Sequence, residues 1–219
     1  VEKMSKSKYN VQTPDELVEK FGADTLRCYE MFLGPLEQAK PWDTQGISGV
    51  HNFLRRFWNL SHQDGKLQLT EGSPTKEALK SLHKTIQKVE DDINRYSFNT
   101  VVSALMICVN ELNEQKCNNR AIISDLTIVL SSYAPHIAEE LWQELGNQSS
   151  ISFAKYPVFN PDYLIENNYN YPVSFNGKMR FQLEVPRETS KEEVEKLALS
   201  DPRAEKWLET NTFPNKIMK

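Results

Sequence analysis

The middle of the chain carries apolar residues three and four positions apart, which is the spacing of one face of an α-helix. This pattern runs from Ile47 to Leu145. Its members include Val50, Phe53, Phe57, Leu79, Leu82, Ile86, Val89, Leu105, Val109, Leu112, Ile122, Leu126, Val129 and Leu141. Polar joints at 63–65 and 71–74 and a proline at position 135 interrupt the pattern. Four or five amphipathic helices with short joints predict an antiparallel helical bundle.

Towards the end of the chain the apolar period changes from about 3.6 to about 2 residues, which predicts β-strands. Alternating apolar residues flank Asn176-Gly177, and a dipeptide of this type between two such runs predicts a β-hairpin. The alternating positions are Val173, Phe175, Met179, Phe181, Leu183 and Val185. Ser190 and Glu193 then form a capping box that opens a helix, and Asp201-Pro202 starts a further turn. This order of elements predicts a small α+β domain.

Two short helices are predicted before the long apolar pattern. Thr13, Pro14 and Glu16 form a helix start in which Thr13 caps and Glu16 completes a capping box. Gly22 is placed to end this helix in a left-handed turn. Asp24 is predicted to cap the second helix. These two helices would support the segment that precedes them.

Composition narrows the class of protein without indicating a ligand. The 219 residues carry a formal net charge of −4 and 39% hydrophobic residues, as an ordinary globular protein does, and show no global basic footprint for nucleic acid. The three cysteines, Cys28, Cys108 and Cys117, include no CxxC pair. Neither a metal site nor a disulfide is therefore expected, and reduced thiols in a cytoplasmic protein are the better interpretation. No apolar run approaches the length of a membrane-spanning helix.

The candidate chemistry lies at the start of the chain, in Lys3-Met4-Ser5-Lys6-Ser7, here named the signature loop. Two lysines lie among small hydroxyl residues, and the segment has no apolar period, so an exposed loop is predicted. Lysine ammonium groups, serine hydroxyls and free backbone N–H groups suit phosphate oxygens. On charge alone, a solvated basic loop without a ligand is the more common interpretation.

The order of these five residues resembles the signature loop, KMSKS, of the class I aminoacyl-tRNA synthetases. Further stretches resemble the leucyl branch of that family, of bacterial type, and together they cover nearly the whole chain. They are Gly22-Ala23-Asp24-Thr25-Leu26-Arg27, Ala134-Pro135-His136-Ile137-Ala138-Glu139-Glu140-Leu141-Trp142 and Asn176-Gly177-Lys178-Met179-Arg180. The resemblance implies the C-terminal fragment of a longer ligase.

The resemblance implies a mainly α fold in three parts. Residues 1–45 would hold the signature loop and its supporting helices. Residues 46–160 would form the helical bundle, like a class I anticodon-binding domain, that binds tRNA. Residues 161–219 would form a small, truncated α+β domain that also contacts tRNA.

The resemblance also implies ATP-dependent activation of leucine and its attachment to tRNA(Leu). Lys6 would be the catalytic residue, and Lys3, Met4, Ser5 and Ser7 would join it in binding ATP, which acts with Mg²⁺. No metal is expected on the chain itself. A second motif that grips ATP is absent from the sequence, so the fragment alone is expected to be inactive and to hold no cofactor. A cytoplasmic monomer without membrane contact is expected.

Four cations are candidate contacts to tRNA phosphates. Arg55 and Arg56 belong to the bundle, where at least one of them should lie off the apolar face. Lys178 and Arg180 belong to the hairpin. Family members usually place a glycine where this chain has Phe181, whose bulk is expected to limit a close backbone approach to RNA.

Other interpretations stay open at this point. The chain could be a non-catalytic tRNA-binding helical module, or the corresponding part of a valine, isoleucine or methionine ligase. The hairpin sequence and the lack of zinc-spaced cysteines favour leucine. His83 and His136 are interpreted as packed or hydrogen-bonded side chains, and Arg27 as a solvated one.

Overall fold

The computed structural model describes residues 2–165, 168–175 and 177–208. The chain forms two compact units, residues 1–164 and residues 165–219. Each unit has a hydrophobic core of its own.

The first unit is built mainly of helices, as the apolar period predicts. In its described part they are α1 (Pro14–Phe21), α2 (Ala23–Phe32), α3 (Thr44–Ser61), α4 (Lys76–Asn94), α5 (Phe98–Glu114), α6 (Arg120–Leu130) and α7 (Pro135–Glu144). A two-stranded hairpin of β1 (His62–Gln63) and β2 (Lys66–Leu67) follows α3. Single 3-10 turns lie at Lys6–Lys8, Ile151–Phe153 and Pro161–Leu164. The prediction of a mainly α fold is confirmed.

The apolar stripes of these helices form one continuous core. Phe53 and Phe57 of α3 and Leu82 of α4 are fully buried, and α4 packs along α5. Cys28 and Tyr29 of α2 are buried in the same cluster. Full burial of one such large side chain stabilises a fold by about 1.5–3 kcal/mol. The two short helices are therefore packed into the same body as the long ones.

Two predicted helix starts differ from the structure. Thr13 precedes α1, but its side chain accepts no capping hydrogen bond. Gly22, with a φ of 86°, ends α1 and begins α2, so the two helices follow each other without a linker. A glycine adopts this positive φ without steric strain. The prediction that Asp24 caps α2 is wrong, because Asp24 lies inside the first turn of that helix.

The second unit is a β-hairpin followed by two helices. Its elements are β3 (Asn168–Phe175), β4 (Lys178–Pro186), α8 (Lys191–Ser200) and α9 (Pro202–Leu208). The strands pair antiparallel, and Gly177 of the turn has a φ of 75°, while Asn176 lies outside the described residues. The capping box is confirmed, since Ser190 Oγ accepts from Glu193 N–H at 3.3 Å and Ser190 N–H donates to Glu193 Oε2 at 3.1 Å.

Near the turn, β4 contains one residue more than β3. Val173 pairs with Phe181 and Ser174 pairs with Met179, so Arg180 has no partner in the register. Such a bulge changes the face on which the neighbouring side chains lie. Phe181 is buried, whereas Met179 is 62% exposed. The prediction that Met179 continues the apolar face of Phe181 is therefore wrong.

Candidate functional site

The signature loop is folded by hydrogen bonds between near neighbours. Ser5 precedes the 3-10 turn Lys6–Lys8, and its N–H donates to Asn10 Oδ1 at 2.9 Å. The N–H of Lys8 donates to Ser5 O at 3.1 Å, and that of Tyr9 donates to Lys6 O at 3.2 Å. The hydroxyl oxygens of Ser5 and Ser7 lie 3.2 Å apart. All of these bonds fall within residues 5–10, so they fix the shape of the loop but not its placement.

The lysines of this segment differ in their partners. Lys8 Nζ lies 3.3 Å from Glu2 Oε2, which neutralises it locally. Lys3 and Lys6 are exposed and have no ion pair among the described residues. An anionic ligand can therefore approach both ammonium groups without displacing a partner.

The segment after the loop is anchored to the helices. Trp42 Nε1 donates to Gln12 Oε1 at 2.6 Å, and the Trp42 ring packs edge-on against Tyr29. The Tyr29 hydroxyl donates to the Asp43 carbonyl oxygen at the start of α3. These contacts hold the base of the loop between α2 and the N-terminal end of α3.

Asp24 connects two elements that are distant in sequence. Asp24 is 8% exposed, and its carboxylate accepts from the N–H of Ile137 at 2.7 Å and from that of His136 at 3.2 Å. His136 Nδ1 lies 2.8 Å from the same carboxylate. Ala134, the residue before α7, makes no side-chain cap. Asp24 of α2 therefore supplies the cap of α7, at the positive end of that helix dipole.

Arg55 and Arg56 are both exposed on α3, while Phe53 and Phe57 are buried, as their register predicts. Neither arginine has an ion pair within the described part of the chain. Arg55 lines a cavity of about 550 Å³ whose wall also includes Asp24, His51, Trp58 and His136. A cation in this position can meet a phosphate group that enters the cavity.

The two hairpin cations have different surroundings. Lys178 is exposed at the start of β4. The guanidinium of Arg180 lies over the Trp207 ring, 3.9 Å from its centroid. Phe181 is buried in the core of the second unit. Its bulk is directed into that core, so it does not cover the exposed side of the hairpin.

The histidines are hydrogen-bonded, as the sequence predicts. His83 is buried, accepts from the N–H of Asn160 at 3.2 Å and packs beside Tyr163, and its burial lowers its pKa. His136 is exposed and is held by Asp24. Arg27 is not merely solvated, because its Nη2 donates to Ser132 O at 3.2 Å.

The described residues contain no group of three or more His, Cys, Asp or Glu side chains that could hold a metal ion. None of the described helices is long and apolar enough to cross a membrane.

The predicted residues lie on three separate parts of the chain. Lys3, Ser5, Lys6 and Ser7 share one loop, Arg55 and Arg56 lie on α3, and Lys178 and Arg180 lie on β4. The contact between Asp24 and α7 is absent from the sequence prediction. In the sequence, this contact is signalled only by an aspartate close to a helix start, and neighbouring residues alone assign that aspartate to α2 instead of α7.

Comparison with known proteins gives a consistent result. A family model described as the anticodon-binding domain of tRNA ligase matches residues 75–196. The whole chain is 56% identical to the leucine–tRNA ligases of Christiangramia forsetii and Flavobacterium johnsoniae, and it covers 23% of each of those proteins. The chain thus spans about a quarter of the length of these curated relatives.

A solved structure shares the fold. It is the crystal structure of the ternary complex of Agrobacterium radiobacter K84 agnB2 LeuRS, tRNA and LeuAMS, with a TM-score of 0.66 and 28% identity over 94% of this chain and 28% of that one. The family model covers more than half of the present sequence. The chain therefore belongs to the family of tRNA-ligase anticodon-binding domains.

Proposed function

We propose that this chain is the part of a leucine–tRNA ligase that supplies the KMSKS loop and the tRNA-binding surfaces. The observation that carries the proposal is the exposure of Lys3 and Lys6, unpaired among the described residues, on a loop of the KMSKS order. Identity of 56% to leucine–tRNA ligases over the whole chain supports leucine rather than valine, isoleucine or methionine.

In the proposed reaction an oxygen of the leucine carboxylate bonds to the α-phosphorus of ATP while the bond to pyrophosphate breaks. Negative charge grows on the phosphate oxygens, and fixed cations beside them lower the barrier. Lys6 is the main stabiliser and Lys3 is the second cation. Ser5 and Ser7 contribute hydroxyl or N–H donors, and Met4 completes the ATP contact. A ribose hydroxyl of tRNA(Leu) then bonds to the carboxyl carbon of the activated leucine, and AMP leaves.

The loop fits phosphate rather than the Mg²⁺ that accompanies ATP. Its donors are ammonium, hydroxyl and backbone N–H groups, whereas Mg²⁺ prefers carboxylate, water and phosphate oxygens. Glu2, the carboxylate next to the loop, is paired with Lys8. The remaining groups of the active site belong to other parts of the ligase, so we expect this chain alone to be inactive.

The tRNA-binding role is proposed for Arg55 and Arg56 of α3 and for Lys178 and Arg180 of β4. All four side chains are exposed, and the related LeuRS structure is a complex with tRNA. A cytoplasmic, monomeric ligase is part of the same proposal.

The proposal is tested by Lys6→Ala in the full ligase. We expect leucine-dependent ATP–pyrophosphate exchange to slow by about two to three orders of magnitude in kcat, the usual contribution of one transition-state contact. The KM for leucine should change little. Lys8→Ala is the matched control, since Lys8 is the neighbouring lysine already paired with Glu2, and it should change kcat by less than about threefold.

Two results would contradict the proposal. Unchanged exchange after Lys6→Ala would favour a non-catalytic tRNA-binding module. A loss confined to KM, with kcat intact, would assign Lys6 to ground-state binding.

A further inference from the structure

We infer that Asp24 is a positioning residue for Lys6. It fixes the helix pair that carries the signature loop (α1 and α2) to the N-terminus of α7. The inference rests on the proposed function, because it concerns how the loop is held for catalysis.

The loop depends on the helix pair for its placement. Its own hydrogen bonds stay within residues 2–10, and the Gln12 that follows is held by Trp42, which packs against Tyr29 of α2. Only residues 11–13 separate Asn10 from α1, and Gly22 joins α1 directly to α2. A rotation of the helix pair therefore shifts the point from which the loop, and Lys6 with it, starts.

Asp24 is the point at which the helix pair meets α7. It lies in the first turn of α2 and also accepts the first free N–H groups of α7, at 2.7 and 3.2 Å. The positive ends of two helix dipoles thus converge on one buried carboxylate. A charge held in this way has a single favourable position, which restricts the angle between α2 and α7.

A local cap would have stabilised α7 without this connection. Ala134 occupies the capping position and its side chain offers no acceptor, while the cap comes from Asp24, 112 positions before His136. Arg27, one turn further along α2, donates to Ser132 O at 3.2 Å just before α7. Two side chains of α2 therefore form hydrogen bonds with the connection between α6 and α7 or with the first residues of α7.

The test is a double-mutant cycle between Asp24→Asn and Lys6→Ala in the full ligase. Asparagine keeps the shape of the side chain but removes its charge from both helix ends. If Asp24 acts through Lys6, Asp24→Asn should lower kcat of pyrophosphate exchange by about tenfold, with the leucine KM little changed. In the Lys6→Ala background the same substitution should lower kcat by less than about twofold.

Asp92→Asn is the matched control. Asp92 is also a buried carboxylate of the first unit, but its bonds go to Lys88 Nζ at 2.6 Å and Thr100 Oγ1 at 2.5 Å, on α4 and α5. Its substitution should change kcat by the same small factor in both backgrounds. Arg27→Ala changes an exposed position and serves as the second variant should Asp24→Asn fail to fold. It should likewise lower kcat only when Lys6 is present.

The outcomes separate the inference from the proposed function. If Asp24→Asn lowers kcat by the same factor with and without Lys6, the positioning role is overturned. The same holds for Arg27→Ala if that variant is used. No loss from Lys6→Ala alone would instead overturn the proposed function.

Discussion

Asp24 and Tyr133 are both buried in the first unit, and they differ in whether their polar atoms are satisfied. Asp24 accepts two backbone N–H groups and contacts an imidazole. Tyr133 is 6% exposed, and its hydroxyl has no hydrogen-bond partner among the described residues. Burial, together with the nearby Cys28 and Asp92, raises the pKa of Tyr133 to about 12. An unpaired buried hydroxyl costs about 1–3 kcal/mol of stability.

Tyr133→Phe is therefore expected to leave the chain as stable as before or more stable. Phenylalanine keeps the ring in the core and removes the unsatisfied group, so the free energy of unfolding should rise by up to about 1 kcal/mol. Urea denaturation followed by circular dichroism measures the change. Tyr9→Phe is the control, since Tyr9 is 97% exposed and should give no change. A clear loss of stability in Tyr133→Phe would show that the hydroxyl has a partner.

At the scale of elements, the arginines of α3 and of β4 differ in the groups that they contact. Arg55 and Arg56 are without an ion pair in the described ranges, whereas Arg180 is stacked on Trp207. Stacking on an aromatic face restricts a guanidinium and contributes to local packing. The α3 pair is thus the cleaner probe of phosphate binding, because neither side chain stacks on an aromatic ring among the described residues.

We expect the double substitution Arg55→Ala and Arg56→Ala in the full ligase to weaken tRNA binding. Loss of two phosphate contacts should also flatten the log–log salt dependence of the affinity by about one to two units. Leucine activation should not change, since neither residue belongs to the signature loop. Arg95→Ala is the control, because it removes an exposed arginine that is already paired with Asp91. It should leave the slope of the salt dependence unaltered. An unaltered slope in the double variant would exclude α3 from the tRNA interface.

Local patterns were sufficient to predict most elements but not the contacts between them. The stripe from Phe53 to Leu141 predicts helices because burial repeats with the helical period. The bulge at Arg180 escapes prediction, since it depends on pairing with the opposite strand. The cap that Asp24 gives to α7 escapes it as well, because partners 112 residues apart share no local signal. The signature loop is distinguished by the order of its residues rather than by their charge.

At the scale of the whole molecule, the two units differ in how much apolar surface they bury. The buried core of the second unit consists of Phe175, Phe181, Leu183, Val185, Val194, Ala198 and Ala204. The first unit has a core that extends through all seven of its described α-helices. Since burial of apolar surface is the main stabilising contribution, the smaller core should open more often.

Amide hydrogen exchange should show that the second unit opens more often than the first. Among the described residues of the second unit, β4 belongs to a two-stranded sheet with β3, and its apolar side chains pack in the smaller of the two cores. Amides of β4 should therefore exchange at least about tenfold faster than those in the middle of α4 and α5, corresponding to about 1.4 kcal/mol in opening free energy. The hairpin amides of β3 should follow β4, because the two strands open together. Amides of β1 and β2, a two-residue pairing in the first unit, provide the internal reference for fast local opening. Exchange in β4 as slow as in α4 and α5 would mean that the second unit is stabilised by more than its own core.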